Sequence, residues 1–526
     1  MILRSKLPDI VIPDTPLVAY VMQHAERLHD KTAIVCGATG RSYTYGALAD
    51  GIRRVAAGLH ARGIRKGDVV GLVSPNIPEF AIVFFAVVQI GAICSTVNPI
   101  ATAEEIGAQF ADSEAVCLFT IPAMVEKCQV ASRLASTVRE LYVIGDSDVD
   151  GTIPFTSLWM HGDVPPDVDI DPATDVAALP YSSGTSGIPK GVMLTHRNIV
   201  ANLAQMASAQ FLSEDDTLVG VLPFFHIYGM SVIMGGALVL GATIVSMPRF
   251  ELESFLQLLQ DHKVTIANVV PPIVLALAKH PVVSKYDLSS LRRIFSGAAP
   301  LGGDLARQCA TRLNVSVRQG YGLTETSPVT HSHPMESDVE KLESVGPPVV
   351  NTECRLVSAE TDEDVRPGER GELWIRGPQV MKGYFNKPEA TAMCMTPDGW
   401  FKTGDVAVMD ELGWFAIVDR VKELIKYKGL QVAPAELEAI LLSHPDVTDA
   451  AVIPVPDDDA GEIPKAYVVA RVPLTADAVM QFVAERVSPY KKVRQVEFVD
   501  TIPKSASGKI LRRLLVERER QRVATA

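Results

Sequence analysis

For most of its length the chain alternates between two hydrophobic periods. Short β-branched runs, VVGLVS (residues 69–74), CLFTI (117–121), LYVIG (141–145) and ATIVSM (242–247), predict buried strands. Between them, EEIGAQFADS from Glu104 and LESFLQLLQDH from Leu252 repeat apolar positions every three or four residues, which predicts amphipathic helices. Strand–helix alternation of this kind predicts an α/β architecture with largely parallel sheets. After about Val345 the texture changes to short strands with turn signals, ECRLVS, RPGERGELWIRG and WFAIVD, which predicts a β-rich subdomain closing the large region. From residue 420 onward, PAELEAILLSH and AVMQFVAERV predict helices of a compact α+β unit. The expected division is therefore residues 1–419, holding two α/β sheet subdomains and the β-rich one, and a small mobile domain of residues 420–526, with a hinge near 419–422.

Two apolar stretches, residues 80–97 and 229–245, approach the length of a membrane span. The first contains Gln89 and Gly91 and runs into Ser95 and Thr96; the second is broken by Gly235, Gly236 and Gly241. Each reads as a buried helix passing into a buried strand, so no integral membrane segment is expected. The 526 residues exceed what one core usually supports. A formal net charge of -13 makes nucleic acid and anionic membranes poor default partners, although local lysines and backbone N–H groups can still bind small anions. The seven cysteines form no Cys-x-x-Cys pair, and the N-terminus lacks the apolar run of a signal peptide. A cytoplasmic protein, monomer or homodimer, is expected.

The densest chemical signal is YSSGTSGIPKG, residues 181–191. Its glycines let the backbone approach a ligand, its hydroxyls donate, and Lys190 supplies charge for a polyphosphate. It is not a Walker A loop, because Lys190 follows Pro189 and precedes Gly191. The flanking apolar segments VAALP and VMLTH predict a loop between strands rather than a flexible linker.

With this loop the chain resembles the adenylate-forming superfamily of acyl-CoA synthetases, nonribosomal adenylation domains and beetle luciferases. The resemblance runs from RSYTYGAL near Arg41 to SGKILRR near Arg513. It implies that Ser182, Ser183, Gly184, Thr185, Ser186 and Lys190 hold ATP phosphates. In SGAAPLG, Ala298 and Ala299 would meet the adenine. In GYGLTET, after the strand VSVRQ, it places Gln319, Gly320, Tyr321 and Thr324 on the nucleotide and Glu325 on Mg²⁺. Asp405 of DGWFKTGDV would accept from the ribose hydroxyls and Arg420 would donate to one.

The same resemblance makes Lys509 of PKSASGKILRR the lysine that reaches into the adenylation site. Lys422, Lys426 and Lys428, spaced by four and two, fall in the segment that swings between half-reactions. Lys426 would serve thioester formation, Lys428 and Gly429 would touch CoA, and Lys422 and Gln431 the nucleotide; Arg249 would meet the CoA nucleotide. His226, in LPFFHIYGM, would gate the acyl pocket, whose walls would be Tyr228, Val232, Phe295, Gly320, Pro328 and Val329. Each of these residues taken alone has a bland structural reading; their order along one chain is what favours the chemical one. No His pair has metal-ligand spacing with a third partner, so no zinc site is expected.

His-Ile-Tyr resembles the 4-coumarate–CoA ligase group, and no aspartate near His226 could pair with an amino acid's amine. The expected activity is an ATP-dependent ligase joining a small carboxylic acid to CoA through an acyl-adenylate. A hydroxycinnamate is the first candidate acid. A medium-chain fatty acid, or transfer to a carrier protein in place of CoA, stays open.

Overall fold

The computed structural model describes residues 1–145, 149–162, 164–182, 189–209, 211–334, 341–358, 361–420, 422–428, 430–457, 459–505 and 508–525. Among them, two large sheets carry the body. One runs in the order Val329–Ser332, Ser316–Gly322, Arg293–Ser296, Ile266–Val269, Thr217–Gly220, Thr243–Ser246, Thr32–Cys36 and Ser42–Thr44. Its six inner strands are parallel and its two outer ones antiparallel. The other sheet is parallel from Val176–Ala178 through Ile93–Val97, Val69–Val73, Cys117–Thr120 and Glu140–Val143 to Ile153–Pro154. Its far end turns antiparallel, where Lys190–Thr195 pairs with Val176–Ala178, Tyr181–Ser182 and Gly383–Tyr384.

The local signals explain these elements. Helix Ala103–Ser113 begins at a reciprocal cap: the Thr102 hydroxyl accepts from Glu105 N–H, and the Glu105 carboxylate accepts from Thr102 N–H. The first apolar stretch is helix Pro78–Gln89 followed by strand Ile93–Val97, and Phe80, Phe84 and Phe85 are buried. Each such ring contributes about 2–3 kcal/mol on leaving water. The second stretch forms a widened, π-type helix over Tyr228–Gly235, then Gly236–Val239 and strand Thr243–Ser246. Among the described residues no helix is long and apolar enough to cross a membrane.

The β-rich part is an antiparallel sheet of Leu3–Arg4, Glu353–Val357, Arg370–Arg376, Phe401–Met409 and Phe415–Arg420. Its N-terminal strand was not legible in the prolines and acids of the first residues; pairing places Arg4 on Glu353, which also accepts from Arg376 Nε at 2.7 Å. The chain leaves this sheet at Arg420, and the next strand, Ile425–Tyr427, belongs to another sheet. That last sheet joins Leu430–Val432, Ile425–Tyr427, Gly461–Ala470, Val447–Asp457 and Gln495–Phe498. Helices Pro434–Ser443 and Ala476–Ala484 pack on it, and Val432, Leu437, Leu441, Val452, Val468 and Val483 form its own core.

Candidate active site

The parallel strands Ile266–Val269, Arg293–Ser296 and Ser316–Gly322 end at one edge, the usual place for a ligand in an open α/β sheet. Two cavities meet there. The larger is lined by Ser182, Lys190, Ala298, Ala299, Gln319, Glu325, Asp405, Arg420 and Lys422. The smaller, of about 110 Å³, is lined by Tyr228, Val232, Phe295, Pro328 and Val329. His226, Ala298, Gly320, Tyr321, Thr324 and Lys509 border both. Residues scattered over nearly three hundred positions are thus gathered at one junction.

The phosphate-loop stem is an antiparallel pair in which Ser182 stands opposite Lys190 and Tyr181 opposite Gly191. Ser183, Gly184, Thr185 and Ser186 lie outside the described residues. Strand Gly383–Tyr384 pairs with Val192 and Met193, which brings the Tyr384 ring 5.1 Å from Lys190 Nζ. The Tyr384 hydroxyl donates to Glu325 Oε1 at 2.9 Å. Glu325 sits in the short helical turn Thr324–Thr326, directly past the strand carrying Gly320 and Tyr321.

Asp405 and Arg420 face each other across neighbouring antiparallel strands. Asp405 Oδ1 is 3.3 Å from Arg420 Nε, and Oδ2 accepts from the Tyr321 hydroxyl at 2.5 Å. Burial raises the Asp405 pKa above the ordinary carboxylate value, against the pull of Arg420. Burial also works against the charge on Arg420, but Asp405 and Glu423 outweigh it and hold the guanidinium protonated.

Lys509 arrives from the small domain on a tight loop. Its N–H donates to Ser505 Oγ at 3.1 Å, and its carbonyl accepts from Ser505 N–H at 2.8 Å. Gly508 precedes it at φ +79, and a Cβ there would lie 3.1 Å from Val270 Cγ2. Glycine is needed on both counts. Burial, with Arg420 nearby, lowers the Lys509 pKa, while Asp405, Glu325 and Glu423 oppose the shift. His226 is pushed down to about 3 by burial and then by Lys509, so its ring is neutral at physiological pH. Its Nδ1 accepts from Tyr228 N–H at 3.3 Å.

Ala298 holds φ +69, a left-handed conformation that costs a residue with a Cβ about 1 kcal/mol or more and that recurs at ligand sites. Next to it, Gly297 leaves room for Tyr228, whose Cε1 would be only 2.8 Å from a Cβ there. Tyr228, Val232, Gly236 and Leu240 follow at intervals of four and line the acyl cavity from one helical face.

The Gln319 side chain donates to Leu301 O at 2.9 Å and accepts from Leu301 N–H at 3.1 Å, so it pins the wall of the larger cavity that it lines. Lys426, Lys428 and Gln431 are exposed and border neither cavity, and Gly429 lies outside the described residues. Arg249 is also exposed and away from both cavities. Lys422 is exposed at the rim of the larger one.

Sequence reasoning missed Tyr384, Asn268, Phe211 and a stripe of Leu203, Met206 and Ala207 on helix His196–Ser208. That stripe has the spacing of any core helix, and GYF around Tyr384 carries no signal by itself. Among the described residues no group of three or more acidic, His or Cys side chains is placed to hold a metal alone.

Comparison with known proteins gives the family. Residues 21–385 match the AMP-binding enzyme family, and residues 436–509 match the AMP-binding enzyme C-terminal domain. The chain is 44% identical to 4-coumarate–CoA ligase 2 of Petroselinum crispum, over 98% of this chain and 96% of that one. It is also 44% identical to 4-coumarate–CoA ligase 5 of Oryza sativa subsp. japonica, over 97% and 96%. Among solved structures, it superposes on the anthranilate CoA ligase AuaEII in complex with anthranoyl-AMP with a TM-score of 0.89 at 25% identity, covering 97% of this chain and 98% of that one. ATP-bound MatB from Rhodopseudomonas palustris gives 0.86 at 29% identity, covering 96% and 99%. With both of its parts matched and the site residues gathered at their junction, the chain belongs to the AMP-binding enzyme family.

Proposed function

We propose that this chain is a 4-coumarate–CoA ligase, an ATP-dependent acid–thiol ligase acting through an acyl-adenylate. The observation that carries this reading is the junction itself: an aromatic- and aliphatic-lined cavity opens onto a polar one beside Lys509. An acid seated in the first would present its carboxylate to the α-phosphate of ATP in the second.

A carboxylate oxygen attacks the α-phosphorus, a P–O bond forms, and pyrophosphate leaves. The CoA sulfur then attacks the acyl carbon and AMP leaves. Activation is needed because hydroxide is too poor a leaving group for direct thioester formation. Lys509 is the cation at the point where charge develops, and such a group supplies several kcal/mol of transition-state stabilisation. Asp405 takes the ribose hydroxyls, with Arg420 beside it; Lys190 and Ser182 hold the phosphates. Neutral His226 stands at the mouth of the acyl cavity as its gate.

Glu325 fits a magnesium ligand. One carboxylate oxygen is taken by Tyr384, the other has no donor among the described residues, and Mg²⁺ typically uses one or two carboxylates together with substrate phosphates. When bound with ATP the ion withdraws charge from the phosphates.

The two half-reactions need different groups at one place. We assign the boundary to residues 1–419 and 420–526, with a hinge at 419–422. Rotation there withdraws Lys509 and brings Lys426, Lys428 and Gly429 to the thioester step, with Gln431 and Arg249 toward the nucleotide parts. The position of Lys509 beside both cavities and the exposure of Lys426 support an adenylate-forming arrangement here. The free thiols favour a reducing compartment, the cytoplasm.

The test is incubation with Mg-ATP and CoA against cinnamic, benzoic and fatty acids, recording AMP release and acyl-CoA mass. CoA-dependent turnover highest on a hydroxycinnamate supports the proposal. A maximum on a medium-chain fatty acid, or adenylate without any CoA product, overturns it.

A further inference from the structure

Helix Pro271–Lys279 has two unlike faces. Ile273, Val274 and Leu277 are buried in the large body, whereas Pro271, Leu275 and Lys279, spaced by four, line the larger cavity together with Leu442 and Ser443 of the small domain. Small-domain groups meet this helix at both ends. Val270, the residue before it, has its Cγ2 3.1 Å from where a Cβ of Gly508 would stand, in the loop that carries Lys509. At the other end, Lys279 Nζ donates to the Leu442 carbonyl at 3.0 Å. The helix has 9 residues, which sets these two contacts about 13 Å apart.

Leu442 lies in the last turn of helix Pro434–Ser443, where the final carbonyls have no partner within the helix. The Ile440 carbonyl accepts from the Ser443 hydroxyl at 2.6 Å, and the Leu441 carbonyl from His444 N–H at 3.1 Å. The Leu442 carbonyl is served from the large body, by a cation placed at the negative end of the helix dipole. Arg370 approaches the start of the same helix more loosely. Its Nη1 is 3.4 Å from Gln431 O and its Nη2 3.9 Å from Glu436 Oε2, and Glu436 already accepts from Lys491 Nζ at 2.6 Å. Contacts that long and exposed contribute little, so Lys279 makes the stronger bond from the large body to this helix.

We propose that Lys279 is a positioning residue that holds the small domain, and with it Lys509, in the adenylate-forming orientation by capping helix Pro434–Ser443. The inference rests on the reading of residues 420–526 as a body that turns at 419–422. A single contact beside Gly508 would leave that body free to pivot; a second, about 13 Å away, fixes its angle. Leu442 travels with the small domain, so the bond to Lys279 is made in one orientation and broken in the other. An interaction made in only one of two states biases the balance between them by its full worth. Adenylation draws on one orientation and thioester formation on the other. The ratio of the two rates therefore follows that balance, whatever its starting value.

The test measures each half-reaction by single turnover, with the acid on which the full chain is fastest. Adenylation starts from that acid and Mg-ATP, and thioester formation from its pre-formed acyl-AMP and CoA. Lys279→Met keeps an apolar stem and removes the donor. The expected result is a fall of about tenfold in the ratio of adenylation to thioester rate, the scale of one charged hydrogen bond at a partly exposed site. Lys279→Arg should restore most of it. Lys509→Ala in the same assay reports on the rotation itself. If Lys509→Ala separates the half-reactions while Lys279→Met leaves their ratio unchanged, whether or not both steps slow, the inference is overturned and the rotation stands. A fallen ratio that Lys279→Arg does not restore also overturns it, because packing and not the donor would then be responsible. If Lys509→Ala slows both steps equally, the rotation falls and the inference with it.

Discussion

Asp405 and Arg420 are cross-strand partners, with Arg420 the last residue of its strand before the chain passes to the small domain. The carboxylate proposed to bind the ribose is thereby coupled to the segment proposed as the hinge. Asp405 is buried and Arg420 is partly exposed, and the guanidinium opposes the rise that burial gives the carboxyl.

Asp405→Ala removes the proposed ribose acceptor and the carboxylate that faces Arg420, leaving Glu423 beside the guanidinium. The expected result is a KM for ATP raised by roughly ten- to a hundredfold, with only a small loss of stability, because the Arg420 side chain is 38% exposed and Glu423 remains beside it. ATP saturation kinetics and chemical denaturation measure the two effects separately. An unaltered KM would remove Asp405 from the nucleotide site.

Lys509→Ala should lower adenylate formation about 10²- to 10³-fold, the scale of losing one preorganised donor. Conversion of pre-formed acyl-AMP and CoA to the thioester should change little, and Lys426→Ala should show the reverse pattern. Equal losses in both half-reactions for either variant would contradict the division of labour. Because the Lys509 pKa is lowered, the charged form is lost at a lower pH than for an ordinary lysine, near 10.4. Adenylation should therefore decline on the alkaline side before that pH, and Lys509→Arg should move the decline upward in the pH–rate profile.

Lys422→Pro restricts the backbone beside Arg420, where the hinge is proposed. Adenylate formation should survive, since Lys509 already borders both cavities, while thioester formation should stall. Single-turnover assays of each step decide the matter.

Gly508→Ala puts a Cβ at φ +79 and 3.1 Å from Val270. The backbone term costs about 1 kcal/mol and the contact adds to it. Displacement of the Lys509 loop should lower adenylation more than tenfold, whereas the melting temperature of the large domain should hardly move.

Burial depresses His196 to about 4, His331 to about 3 and His333 to about 4, each below the ordinary value of 6.5. Below pH 6.5 the unfolded chain binds these protons and the folded one does not. Stability is therefore full above pH 6.5 and falls as pH drops toward 4, by up to about 1.4 kcal/mol per histidine for each pH unit. Denaturation midpoints at pH 7.5, 6.0 and 5.0 should fall in that order, and His196→Gln should flatten the trend.

The sequence by itself determined the elements and the motifs. Residues 80–97 are largely apolar, with Gln89 and Gly91 marking where a buried helix passes into a buried strand. The order of YSSGTSGIPKG, GYGLTET, TGD and SGK pointed to the reaction class through its resemblance to the adenylate-forming superfamily, because each of these segments is short and local in the chain. Only tertiary structure decided what those groups are free to do. The Gln319 amide is bonded to Leu301 across the cavity wall, and Tyr384 gained its place from a strand pairing with Val192 that no local pattern encodes.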